Sequence, residues 1–154
     1  MKNLQLTNQF PIGEVQLSYK RKNQFIIHKI TSSQSANECI RKIFPIEQIS
    51  YREHMYALYL DNSNCIIGYH LLSIGGITGT LVDIRVLMQG ALLTNAVGLL
   101  LFHNHPSNTL KPSTADKNLT DKIIRSAEIL DLKVLDHLII TEDSYYSFAD
   151  NGEL

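Results

Sequence analysis

At 154 residues the chain has the length of one domain, which leaves no room for a second independent core. Hydrophobic residues at 44% and charged residues at 19% exclude a wholly disordered chain. Fourteen Lys and Arg against fifteen Asp and Glu give a formal charge of -1, which argues against a dedicated nucleic-acid binder.

Residues 1–34 read as a polar arm, with Phe25 to Ile27 as a short edge strand, and residues 35–154 as the folded domain. Ser35 and Glu38 have the spacing of a capping box ahead of the apolar positions Cys39, Ile40, Ile43 and Phe44, and Pro45 stops that helix. Met55 to Leu60 and Ile66 to Leu72 are β-rich runs around the turn-forming residues 61–64, a hairpin pattern. Gly75, Gly76 and Gly79 break it. Asp83 is a candidate N-cap for a helix carrying Ile84, Leu87, Ala91, Leu92 and Val97 on one face as far as Gly98. Leu99 to Phe102 is continuously apolar, as a strand buried on both faces is, and it ends at His103. A loop from His105 to Pro112 leads to a helix beginning at Ser113, with Leu119, Ile123, Ala127 and Leu130 facing inward. Lys133 to Thr141 and Tyr145 to Phe148 form a closing hairpin. This order predicts an α/β (α+β) fold with a mixed central sheet flanked by helices.

The longest apolar run, Ala96 to Phe102, is far short of the ~20 residues that cross a bilayer. The first fifteen residues lack the compact apolar stretch of a secretory signal, so a cytoplasmic location is expected. Cys39 and Cys65 make no CxxC pair and read as reduced core or surface thiols. The basic run Lys20, Arg21, Lys22 reads as a solvated turn.

The chemistry concentrates between His103 and Asp116. Residues i and i+2 of an extended segment face the same side, so His103 and His105 can offer two imidazoles to one point. Asp116, in the first turn of the next helix, can bring a carboxylate there, and two His with one carboxylate form the open site of a catalytic zinc. Ser113 and Asp116 also have the spacing of a helix cap, which requires no metal. A zinc hydrolase needs a general base outside the ligand set, and Glu47, Glu53 and Asp61 are the candidates.

His-x-His, seven residues, Ser, two residues, Asp resembles the JAMM (MPN+) metalloprotease signature, filled here by His103, His105, Ser113 and Asp116. The wider pattern resembles the bacterial RadC-like JAB domain: Arg52-Glu53-His54-Met55, Val82-Asp83 with Arg85, His103-Asn-His105-Pro-Ser, and Val134 to Ile140. The likeness is strongest over residues 50–150. It implies a cytidine-deaminase-like JAB/MPN domain and one Zn2+ per chain on His103, His105 and Asp116. It also implies Glu53, on the first strand of the hairpin, as general base, and Ser113 as donor to the developing oxyanion or bound water. The implied reaction is hydrolysis of an amide or isopeptide in a peptide or protein substrate.

Three positions depart from the family pattern: Met55, Asn108 and Phe102. Asn108 can keep the loop because Asn tolerates left-handed backbone, whereas a Phe102 ring facing the groove would alter access. His137, beside Asp136, reads as a histidine satisfied within or at the rim of the sheet, and His28, His54 and His70 read as structural. The contiguous His-Asn-His is not an HNH nuclease motif. The alternative functions are a DNA-repair-associated protein, the label the family carries, and a metal-binding scaffold without turnover. The helix-hairpin-helix region of longer family members is not expected before residue 50.

Overall fold

The computed structural model describes residues 13, 15–16, 18–20, 28–75 and 81–154. Among these, the elements in chain order are α1 (Ser33–Ile43), a 3-10 turn (Ile46–Gln48), β1 (His54–Leu60), β2 (Ile66–Ile74), α2 (Ile84–Leu93), β3 (Gly98–Asn104), α3 (Thr114–Glu128), β4 (Lys133–Ile140) and β5 (Tyr145–Ser147). The strands form one sheet in the order β2-β1-β3-β4-β5. β1 runs antiparallel to β2 and β3, β3 is parallel to β4, and β5 closes antiparallel on β4. The α+β class with a mixed sheet between helices is therefore observed.

Strand periodicity divides the core into two layers. Tyr56, Leu58, Leu60, Leu100, Phe102, Leu138 and Ile140 pack with Ala36, Cys39 and Ile40 of α1. Met55, Ala57, Tyr59, Leu99 and Leu101 pack on the opposite face against Leu87, Met88 and Ala91 of α2 and Ile123 and Ala127 of α3. Continuing the alternation past Phe102 sends His103 toward α3 and Asn104 toward α1. The Phe102 ring lies on the α1 side, stacked on Tyr56 with centroids 4.9 Å apart, so it does not narrow the groove.

Several boundaries differ from the sequence reading. The cap of α1 is Ser32, whose side chain accepts from the Ser35 amide while the Ser35 hydroxyl reciprocates, so Ser35 and Glu38 are not the box. α2 ends at Leu93 and not near Gly98, because Asn95 adopts a left-handed conformation and the amides of Asn95 and Ala96 close back on Leu92 and Ala91. Leu92 is 55% exposed, and Val97 lies beyond the helix. Asp131 ends the α3 segment in the same way, which leaves Leu130 at the surface and turns Leu132 inward. The strand expected at Phe25 to Ile27 lies outside the described residues, whereas Lys29 bridges Cys65 and Ile30 is buried. No helix among the described residues is long and apolar enough to cross a membrane.

Gly90 of α2 faces the phenol of Tyr59, where an added Cβ would fall 2.0 Å from the hydroxyl oxygen. That hydroxyl donates to the Leu87 carbonyl at 3.2 Å, and burial pushes its pKa up to about 12. Gly90→Ala raises intrinsic helix propensity, yet it should destabilise the protein by about 1–3 kcal/mol, because the buried ring cannot yield. Denaturant unfolding checks this; a stabilised variant would contradict the packing.

Candidate metal centre

β3 ends at the middle of the sheet, at the carboxyl end of the parallel β3/β4 pair, where a crevice opens toward the N-terminus of α3. Met55 pairs with His103, so the residue before β1, Glu53, arrives at the same edge. A pocket of about 530 Å³ opens there, lined by Glu53, His103, His105, Ser113 and Asp116 together with the apolar Met55, Val82 and Leu119. The structure thus brings all five sequence-assigned residues to one cavity. Glu47 and Asp61 do not line it. Glu53 lies one residue ahead of β1 and not on the strand.

The ligand atoms converge. His103 Nε2 and His105 Nε2 are 2.9 Å apart, His103 Nε2 lies 3.3 Å from Asp116 Oδ1, and His105 Nε2 lies 3.5 Å from Asp116 Oδ2. One donor atom from each of these residues falls within 4.8 Å of the others. Tetrahedral coordination with bonds of about 2.0–2.1 Å sets its ligand atoms roughly 3.3 Å apart, and the spacing between the histidines and those from each histidine to one or other Asp116 oxygen are of that order. His105 Nδ1 faces the Thr109 carbonyl at 2.6 Å; a carbonyl can only accept, so this nitrogen carries the proton and a neutral ring presents a bare Nε2. Two imidazole nitrogens at 2.9 Å beside a carboxylate require a proton or a cation between them. The residues therefore fit a divalent metal, without specifying which one.

Local sequence explains each placement. The Asn108 amide donates to the His105 carbonyl and Asn108 sits at φ 61°, a turn that carries the Thr109 carbonyl back to the His105 ring. Asn serves there for the reason given above. Ser113 caps α3 in a full capping box: Ser113 N and Oγ both donate to Asp116 Oδ2, and the Asp116 amide donates to Ser113 Oγ. The cap and the metal triad are thus the same carboxylate, clamped in place by the helix start.

Electrostatics follow from burial and proximity. Burial pushes His103 down to about 4, against the opposing pull of Asp116. His105 is also desolvated, but the hydrogen bonds to Asp116 and Thr109 and the charges of Asp116 and Glu53 raise it overall. Asp116 is partly desolvated, and its bonds to His105 and Ser113 and the nearby His103 hold it far below the usual carboxylate range. Glu53 is raised by burial and by the Asp116 charge, with His105 opposing.

Three residues outside the sequence assignments shape this site. Asn104 lies between the two histidines and points to the other face of the sheet. There its Oδ1 accepts from the His54 amide, and its Nδ2 donates to the carbonyls of Ile49 and Arg52, all at 2.7 Å. This pins the segment that carries Glu53 beside β3. Its signal was present: one polar residue on the core side of an apolar strand. Asn104→Ala takes this partner from the His54 amide and the Ile49 carbonyl, while the Arg52 carbonyl still faces His54 Nδ1 at 3.0 Å, and should cost about 3 kcal/mol, measurable as a lowered unfolding midpoint. The other two are Thr120, one helical turn after Asp116, and His137 of β4, whose ring is fully buried.

The sequence profile of the RadC-like JAB domain matches residues 30–153. The chain belongs to the RadC-like JAB domain family. It is 50% identical over 126 residues to a UPF0758 protein of Flavobacterium johnsoniae, covering 82% of this chain and 54% of the relative. It is 38% identical over 125 residues to UPF0758 protein YfjY of Escherichia coli, covering 80% and 76%. A UPF0758 protein of Methanococcoides burtonii is 36% identical over 118 residues, 77% and 52% of the two chains. The chain spans about half the length of the Flavobacterium and Methanococcoides relatives.

Proposed function

We propose that this protein is a zinc-dependent peptidase or isopeptidase. The observation that carries the reading is the convergence of donor atoms of His103, His105 and Asp116, within 4.8 Å of one another, in a pocket that also holds Glu53. A zinc ion held by those three residues would supply Lewis-acid polarisation of a carbonyl and a lowered pKa for water. Glu53 takes the proton of the attacking water and passes it to the leaving amine nitrogen, a shuttle suited to a carboxyl already raised by burial. Ser113 holds Asp116 through its hydroxyl, and turning that hydroxyl outward supplies a donor to the oxyanion. Met55, Val82 and Leu119 give the pocket an apolar wall that displaces water from around the amide. The substrate is a peptide or protein segment.

The test is incubation of the zinc-reconstituted protein with a mixed peptide and isopeptide library, read by mass spectrometry. New amino termini that disappear with a chelator and return with zinc are the expected result. Full zinc occupancy with no cleavage would overturn the peptidase reading and leave a metal-binding scaffold.

A further inference from the structure

Behind the pocket, a chain of buried hydrogen bonds joins two of the three candidate ligands. His103 Nδ1 is 2.8 Å from His137 Nε2, His137 Nδ1 is 2.7 Å from Thr120 Oγ1, and Thr120 Oγ1 is 2.7 Å from the main-chain carbonyl of Asp116. His103, His137 and Thr120 are each at most 1% exposed, so no solvent can substitute for a missing partner.

The last link fixes the direction of all the others. The Asp116 carbonyl can only accept, so the Thr120 hydroxyl spends its single proton on it. The Thr120 oxygen then accepts from His137 Nδ1, which must carry hydrogen. A neutral His137 is left with a bare Nε2, and that atom accepts from His103 Nδ1. A neutral His103 consequently keeps its proton at Nδ1 and has an unprotonated Nε2, the atom aimed at Asp116 Oδ1 and His105 Nε2, so that without a metal the proton between the two Nε2 atoms belongs to His105. Phe148 stacks on the His137 ring with centroids 4.7 Å apart and holds its plane.

We infer that Thr120 and His137 are positioning residues that set the tautomer of His103, so that its Nε2 lone pair is presented to the metal pocket before any ligand arrives. The Asp116 backbone is the reference, and Asp116 thereby contributes its carboxylate to the site and its carbonyl to the orientation of a second ligand. Without the Thr120 oxygen, His137 is free to move its proton to Nε2 and donate to His103 Nδ1. The His103 proton then sits on the nitrogen that must coordinate. The use made of this tautomer rests on the metal reading above, but the tautomer itself does not.

Two measurements test the inference. Long-range proton–nitrogen correlation spectra of histidine-labelled protein report which ring nitrogen carries hydrogen, with assignments from His103→Gln and His137→Gln. The metal-free parent should show His103 and His137 both protonated at Nδ1; His137 protonated at Nε2 would overturn the proposal without recourse to any Thr120 variant. Zinc affinity, read by competition with a chromophoric chelator, should fall about 10- to 100-fold in Thr120→Val and return in Thr120→Ser. Parent-like affinity in a folded Thr120→Val protein would also overturn it. A parent that takes up no zinc defeats the proposed function instead, and the tautomer spectrum still decides this inference.

Discussion

Glu53→Gln is expected to lower amide turnover by about 10²- to 10⁴-fold while metal binding persists. The substitution keeps side-chain volume and removes the group proposed to accept and return a proton. Glu53 is not among the converging ligand atoms, so the metal has no reason to leave. Its backbone is fixed independently of its carboxyl: the Gly75 amide donates to the Glu53 carbonyl at 2.8 Å, and Asn104 holds both neighbours through the Arg52 carbonyl and the His54 amide. A loss of turnover therefore reports proton transfer and not a displaced loop. Steady-state cleavage with a substrate from the library screen, alongside metal analysis of the same sample, separates the two. Undiminished turnover would remove Glu53 from the mechanism.

Asp116→Ala has the second large effect, and it strikes two structures at once. It deletes one of the three candidate metal donors, and it leaves the Ser113 amide and hydroxyl without the Oδ2 they share. The lost helix start should cost about 1 kcal/mol, a fall in unfolding midpoint that alanine alone cannot separate from metal loss. Asp116→Asn makes the separation, since an amide oxygen can still accept from Ser113 while the negative charge beside His103 and His105 is gone. Metal uptake should fail in both variants, whereas the metal-free protein should be more stable as Asp116→Asn than as Asp116→Ala, by about the helix-start contribution of 1 kcal/mol. Metal retained in Asp116→Asn at parent affinity would mean that the two histidines and another group hold it.

Most of the site could be read from the sequence because its geometry is local. His103 and His105 share a face through strand periodicity, and Ser113 and Asp116 share a helix start through capping, so two short-range rules deliver four of the five residues. The placement of Glu53 depends on the antiparallel register of β1 on β3, and residue spacing alone left it level with Glu47 and Asp61 until the family resemblance selected it. The partnership of His137 with His103 was not legible: it follows from the parallel pairing of β3 and β4, a contact across 34 residues that no pattern in β4 announces. Thr120 carried a weak signal, four residues after Asp116 and so on the same helix face. The helix ends were misplaced where Asn95 and Asp131 take the left-handed role more often given to glycine, so the apolar pattern read on past the true stop. The Phe102 ring, which looked able to obstruct the groove, is turned away by the same alternation that aims His103 into it.

The most direct test of the account is metal content per chain, by elemental mass spectrometry, after zinc reconstitution and removal of excess ion. His103, His105 and Asp116 predict one zinc per chain in the parent and in Glu53→Gln, and almost none in Asp116→Asn. A parent that emerges without metal would contradict the account and reduce Ser113 and Asp116 to a helix cap beside one buried and one partly buried histidine.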